Sequence, residues 1–379
     1  MLINLLVAVD FFKIIVNLNL FTIDKSLKIS IIILGVEDME VKELEIKINK
    51  SRNEKATAKD VKVLLDKVLK GYEITKDDAR FLYSADYNAL VSASKKIRET
   101  FCGDSFDMCT IINAKSGKCP ENCKFCAQSA FYHTSVECYG LLPNEVIIKD
   151  AIEKYKMGIP RYSLVSSGKN LSDKDIDRVC EIVEEIHKEV PVEICISGGL
   201  ISEEGFEKLK KAGVRRIHNN LETSRNYFPS VCTTHSYDQK LKAIADAKEA
   251  GMEICSGGII GLGESREDRL DMIFELKKLK VNSIPINVLN PIPKTPLENN
   301  EILSEEEINR TVAVYRFVYP SATLRLAGGR ALMKSFGRTA FEAGANAAIS
   351  GDMLTTHGVS TKDDIEMIES LDYKIRLIS

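Results

Sequence analysis

An excess of charge of either sign is missing from this sequence. Its 52 Lys and Arg face 55 Asp and Glu, for a net charge of −3. That balance removes the electrostatic case for nucleic acid or an anionic membrane as the main partner. Long apolar runs are missing too. The longest near the N-terminus, Leu2–Val9 and Ile31–Leu34, fall well short of the roughly 18 residues that a membrane span needs. Asp10 and Lys13 come directly after the first run, no cationic segment precedes it and no small-residue cleavage site comes after it, so a secretion signal is not expected. A cytoplasmic chain with reduced thiols is therefore expected, and its 10 cysteines point to metal ligation rather than disulfides.

Residues 1–38 match nothing in the rest of the chain, whereas Met39-Glu40-Val41-Lys42 opens an ordinary polar segment. The expectation is that residues 1–38 are a mis-assigned extension and that translation starts at Met39. Residues 39–100 then form a helical N-terminal region and 101–379 a barrel domain. Val61, Val63, Leu64, Leu65, Val68 and Leu69 make one apolar helical stripe, and Thr75 with Asp77 and Asp78 caps the start of another helix. From residue 109, short β-branched runs alternate with amphipathic helical patterns. Candidate strands are Cys109–Asn113, Tyr162–Ser166, Glu193–Ser197, Arg216–Asn219, Glu253–Ser256, Ser283–Asn287, Thr323–Ala327 and Ala347–Ser350. Helices are clearest over Asp173–Glu189 and Ser265–Lys280, and Ala212-Gly213-Val214 and Ala250-Gly251-Met252 read as helix stops followed by strand starts. The pattern predicts an α/β fold, a TIM-type (β/α)8 barrel with an N-terminal helical extension. An open doubly wound sheet would need a glycine-rich phosphate loop after the first strand, and Ala114-Lys115-Ser116-Gly117-Lys118 is not one.

The loop after that first strand carries the chemistry. Cys119, Cys123 and Cys126 lie at C-x3-C-x2-C among Lys118, Glu121, Asn122 and Lys124, a polar loop in which thiols have little reason to be packing residues. Thiolates suit zinc or an iron–sulfur cluster. Structural zinc wants a fourth ligand; a second C-x-x-C pair is absent and His133 stands wide of zinc spacing. On a four-iron cluster, three thiolates leave one iron open to a cofactor. The C-x3-C-x2-C motif after a first barrel strand resembles the signature of the radical S-adenosylmethionine superfamily. Ile112–Gly117, Asn220–Ser224, Cys255–Glu264, Asn290-Pro291, Thr295-Pro296-Leu297 and Leu324–Arg330 are similar, in order, to stretches of the biotin synthase family, from about residue 70 to the C-terminus.

The resemblance implies sulfur insertion into dethiobiotin, driven by a 5′-deoxyadenosyl radical made from S-adenosylmethionine at a 4Fe–4S cluster on Cys119, Cys123 and Cys126. It implies a second, sacrificial 2Fe–2S cluster on Cys195, Cys255, Arg325 and the position held here by Ser163. Serine is a harder and less acidic ligand than cysteine. Three outcomes stay open: Ser163 ligates as an alkoxide, another thiol such as Cys232 replaces it, or the auxiliary cluster differs. The resemblance gives Asn220, Glu222, Ser167, Gly168 and Gly261 to cofactor binding, while His218 stands where asparagine is expected. It also implies an electron-donor protein and a homodimer. Cys102, Cys109, Cys138 and Cys180 receive no chemistry in this reading, with Cys180 expected in a helix core. Two other functions compete with it: a related radical barrel enzyme doing rearrangement or lyase chemistry without sulfur insertion, and a non-catalytic zinc-stabilised binding module.

Overall fold

A computed structural model of the chain describes residues 55–378. The expected start at Met39 and the segment before it lie outside these residues. The parallel strands are β1 (Ser105–Lys115), β2 (Arg161–Ser166), β3 (Glu193–Ser197), β4 (Arg216–His218), β5 (Glu253–Cys255), β6 (Gly258–Ile260), β7 (Ser283–Val288), β8 (Thr323–Leu326) and β9 (Ala347–Ser350). Each pairs with the next, β5 and β6 share one position against β7, and β9 returns to pair with β1, which closes a barrel of eight strand positions. A short β10 (Lys374–Ile375) extends the sheet beside the first residues of β1. The fold class read from the sequence is therefore the observed one. Expected strand ends fall within a few residues of the observed ones, except that β1 is longer and the β5–β6 break at Ser256-Gly257 leaves no trace in the apolar pattern.

Alternation decides what each strand gives to the two sides of the wall. Tyr162, Leu164, Ile194, Ile196, Ile217, Leu324 and Leu326 point out and are buried beneath the helices. The residues between them point into the barrel. The helix Asp173–Glu189 covers this wall with Ile176, Val179, Ile182, Val183 and Ile186, the stripe its sequence predicts. Gly213 and Gly251, at φ of +103° and +73°, turn helices into β4 and β5, a backbone conformation that side chains with a Cβ resist. Of the N-terminal helices α1 (Ala58–Leu69), α2 (Lys76–Tyr83) and α3 (Tyr87–Cys102), the last two pack against the barrel helices and α1 packs on α3. Capping boxes at Thr57–Asp60 and Thr75–Asp78 start α1 and α2, and Arg80 and Lys76 pair with Glu267 and Asp271 on Arg266–Lys278. Among the described residues no helix is long and apolar enough to cross a membrane.

One buried carboxylate ties the barrel floor together. Asp107 of β1 accepts hydrogen bonds from Arg325 of β8 (2.8 Å), Arg161 of β2 (3.2 Å) and the amide of Ile378 in the C-terminal tail (3.1 Å). Burial pushes its carboxyl up, but the charges of Arg325, Arg161 and Arg216 outweigh burial and hold it at about 2. Asp107→Asn keeps the shape but leaves the buried Arg325 guanidinium without a carboxylate, while Arg161 keeps Glu193, so chemical denaturation at pH 7 should show a loss of about 3 kcal/mol. In the native chain this share of stability is present above the ordinary carboxyl range and drains as pH falls from about 4 towards 2. An unchanged denaturation midpoint in the variant would refute the role.

Candidate functional site

The cysteine loop leaves β1 at Lys115 and folds back on itself. The Cys119 amide donates to Gln128 O (3.0 Å), the Ala130 amide to Cys119 O (2.8 Å) and the Cys126 amide to Cys123 O (3.0 Å). The Gln128 side chain accepts from the Gly117 amide (3.0 Å). The three thiols are half-buried and sit near one another and near Glu222. Burial pushes the Cys126 thiol up to about 11, with the negative charges of Cys119 and Glu222 adding to it. Cys123 is raised further, first by its hydrogen bond with Cys232 and then by burial. Without a cation these groups resist ionising together; a cationic metal core reverses that penalty, which is the donor set an iron–sulfur cluster requires. Phe125, between two of the cysteines, packs on Val231, Ile259, Leu262 and Leu289 and lines the barrel cavity.

That cavity has a volume of about 320 Å³ and runs from the loop into the barrel. Its inner wall carries three thiols on three strands: Cys109 of β1, Cys195 of β3 and Cys255 of β5. All three are buried, and Ser163 of β2 stands beside them, in register with Cys195. Burial drives Cys109 up to about 11 and Cys195 to about 12, with the charge of Cys255 adding to both and that of Cys109 adding at Cys195. Cys255 differs. Burial pushes it up, yet its hydrogen bond with His218 and the charges of His218, Arg325 and Arg216 bring it down to about 6. Ser283 donates to its sulfur at 3.3 Å. Arg325 donates to Asp107 and to the carbonyls of Asp107 and Ala348, both at 3.1 Å. Burial opposes its charge, but Asp107, Cys109 and Cys255 raise its pKa, so it serves the cavity as a cation. Three thiols around such a cation, in an enclosed wall, fit an iron–sulfur cluster.

At the mouth, the Asn220 side chain accepts from the Gly257 amide (3.0 Å) and lies 3.4 Å from the Glu222 carboxylate. Glu222 adopts φ of +69°, a strained conformation for a residue with a Cβ. Its backbone is clamped on both sides by Gly257 O (3.1 Å) and the Ile259 amide (2.8 Å). The clamp needs Gly258, where a Cβ would come within 2.4 Å of Glu222 O. Burial raises the Glu222 carboxyl, against the charges of Lys240 and His218.

Not every expected residue joins this site. Cys232 is one possibility the sequence leaves open for the place of Ser163, and the structure puts it elsewhere. Its segment folds up against the cysteine loop, where the Lys124 amide donates to Val231 O (3.0 Å), so Cys232 lies beside Cys123 and not in the barrel wall. Ser167 and Gly168 line a separate cleft with Lys115, Gly117 and Asn170. Gly261 spends its amide on Glu264, at 2.9 Å. Cys195, Ser163 and Arg325 lie within their strands rather than at the strand ends. Cys180 is half-buried on its helix. Sequence reasoning missed Cys109, Asp107, Arg161 and Arg216. The available signal was phase: Asp107, Cys109 and Ile111 share one face of β1.

Two family models match the chain: the Radical SAM superfamily over residues 114–276, and the Biotin and Thiamin Synthesis associated domain over 285–374. The chain is 54% identical to a biotin synthase of Brachyspira hyodysenteriae over 314 residues, 83% of this chain and 94% of that one. It is 50% identical to a biotin synthase of Clostridium botulinum (82% and 97% covered) and 51% identical to one of Akkermansia muciniphila (83% and 98%). Among solved structures, methylornithine synthase superposes with a TM-score of 0.73 at 21% identity, covering 83% of this chain and 97% of that one. The FeFe-hydrogenase maturase HydG of Carboxydothermus hydrogenoformans superposes with 0.72 at 18% identity, covering 90% and 84%. At those identities the structures speak for the shared barrel alone.

The electrostatics of Cys255 give a direct test. In metal-free protein its alkylation by iodoacetamide, followed by peptide mass spectrometry, should reach half its maximum near pH 6. His218→Leu should move that midpoint upward, towards the ordinary thiol value of about 8.5. A midpoint that ignores the substitution would remove His218 as the cause.

Proposed function

The chain belongs to the biotin synthase family of radical S-adenosylmethionine enzymes, and we propose that two sets of thiols divide its work, one in the loop whose Phe125 lines the cavity and one in the cavity wall. It is a radical enzyme that inserts sulfur into dethiobiotin to give biotin. Its cofactors include a 4Fe–4S cluster and S-adenosylmethionine. When bound, these supply a 5′-deoxyadenosyl radical that removes hydrogen from dethiobiotin, and an auxiliary iron–sulfur cluster supplies the sulfur.

The chain's own residues have distinct tasks in this reading. Cys119, Cys123 and Cys126 would hold the 4Fe–4S cluster, three thiolates leaving one of its four irons without a protein ligand. Glu222 and Asn220, at the cavity mouth, orient cofactor and substrate; the clamped backbone of Glu222 fixes its carboxylate without a search through rotamers. Phe125 and Ile259 exclude water from the space between the two thiol sets.

Cys109, Cys195 and Cys255 hold the auxiliary cluster, with Arg325 as the compensating cation. The observation that carries this assignment is that a third thiol, Cys109, lines the cavity wall with Cys195 and Cys255. Ser163 then needs no ligand role, and a 2Fe–2S or other auxiliary cluster has three soft donors. The rival reading without sulfur insertion drew its support from Ser163, and a complete thiol set removes that support. The zinc-stabilised binding module is disfavoured by family membership.

The partners are a small-molecule substrate and, in our reading, an electron-donor protein, because cleaving the sulfonium consumes an electron. The resemblance adds a homodimer. Ten free thiols suit the reducing cytoplasm.

Anaerobic reconstitution tests the ligand set. Cys109→Ala should lose the iron and sulfide of the auxiliary cluster, keep the 4Fe–4S absorption, and form 5′-deoxyadenosine without biotin. Ser163→Ala should keep full iron and sulfide. The reverse pattern would return the ligand role to Ser163.

A further inference from the structure

Cys232 and His235 remain unexplained by the two thiol sets. They come after the short helix Phe228–Val231 and are pressed against the cysteine loop. Asn122 clamps them there. Its side-chain oxygen accepts from the amides of Thr233 (2.9 Å) and Thr234 (3.3 Å), and its backbone amide donates to the Thr234 hydroxyl (3.1 Å). Cys232 is 3% exposed, and its sulfur lies 3.3 Å from His235 Nδ1. The side chains of His235 and Glu121 are each 7% exposed and paired with one another. Glu121 also accepts from the Thr234 hydroxyl at 2.6 Å. His235 Nε2 is buried without a hydrogen-bond partner.

The spacing is informative. The sulfurs of Cys123 and Cys232 and a ring nitrogen of His235 all lie within 4.8 Å of one another. A single tetrahedral ion with bonds of about 2.0–2.3 Å needs its ligands less than about 4 Å apart, a small contraction from what is present. Two thiolates and an imidazole form a borderline-soft set, and Glu121 holds the imidazole as its outer hydrogen-bond partner. The set comes from two segments more than a hundred residues apart in sequence, and nothing in the radical chemistry requires Cys232 or His235.

We propose that Cys123, Cys232 and His235 hold one soft divalent cation of the Zn²⁺ or Fe²⁺ class when the 4Fe–4S cluster is absent. Cys123 is shared, so ion and cluster exclude each other. The exclusion, though not the ion site itself, rests on the assignment of Cys123 to the 4Fe–4S cluster. The site keeps the cluster-free loop folded around one metal, and Zn²⁺ in it is an inhibitor of cluster loading.

Full-length protein stripped of iron under reducing, anaerobic conditions, with its fold checked by circular dichroism, is titrated with Co²⁺ alone. One equivalent should give tetrahedral Co²⁺ bands with thiolate charge transfer, and Zn²⁺ or Fe²⁺ should bleach them. Cys232→Ser and His235→Ala should each weaken binding by at least about tenfold, while Cys119→Ala and Cys126→Ala leave it intact. Reconstitution of Cys232→Ser to a normal 4Fe–4S spectrum shows that this variant is folded. Co²⁺ binding that survives Cys232→Ser and His235→Ala but fails in Cys119→Ala would overturn the site, as would no stoichiometric binding at all. Zn²⁺-loaded protein that accepts the cluster as fast as metal-free protein would overturn the exclusion. Failure of the cluster assignment looks different: Cys123→Ala would keep its 4Fe–4S spectrum.

Discussion

The barrel interior is organised by a carboxylate that cannot leave. Asp107 is fully buried, and two guanidinium groups from different strands are directed at it. A single buried charge among apolar residues would be expelled or neutralised; a charge shared by Arg161 and Arg325 is retained and fixes both. Arg161 also reaches Glu193, and Arg216 reaches Glu253, so the floor is a band of alternating charge drawn from β1 to β5 and from β8. Everything above it inherits that geometry. Arg325 presents its positive charge to the thiol layer because Asp107 holds its other side. His218 and Arg216 then single out Cys255 as the one of the three wall thiols that ionises most readily.

A band of this kind explains why a cavity carrying ionisable groups can exist inside a barrel whose outer wall packs as an ordinary apolar core. Each strand gives alternate positions to the helices and the positions between them to the cavity. The fold and the site are thus written in the same strands, one position out of phase.

That phase was readable for the wall and unreadable for the site. The outward residues are β-branched or otherwise apolar and recur around the barrel, so strands such as Glu193–Ser197 and Ala347–Ser350 emerge from the pattern with their observed ends. Cys119, Cys123 and Cys126 are equally plain, because three thiols in a short polar loop have few uses. Cys109 was opaque: a lone thiol in an apolar run looks like a small core residue, and only its sharing a face with Asp107 separates the two. The place of Cys232 stayed open for a different reason. Its position depends on Asn122, over a hundred residues earlier, clamping Thr233 and Thr234, and no local pattern carries such a contact. Ser167 and Gly168 come directly after β2, yet the chain turns there into a cleft behind the loop.

Phe125 joins the two halves of the molecule's chemistry in a way that neither thiol set does. Its backbone belongs to the metal-binding loop and its ring to the cavity wall. A small molecule that fills the cavity presses on the same ring that holds the loop down, so occupancy of one must change the free energy of order in the other. Coupling of this sort runs equally in both directions: whatever steadies the loop also prepares the wall that greets the substrate.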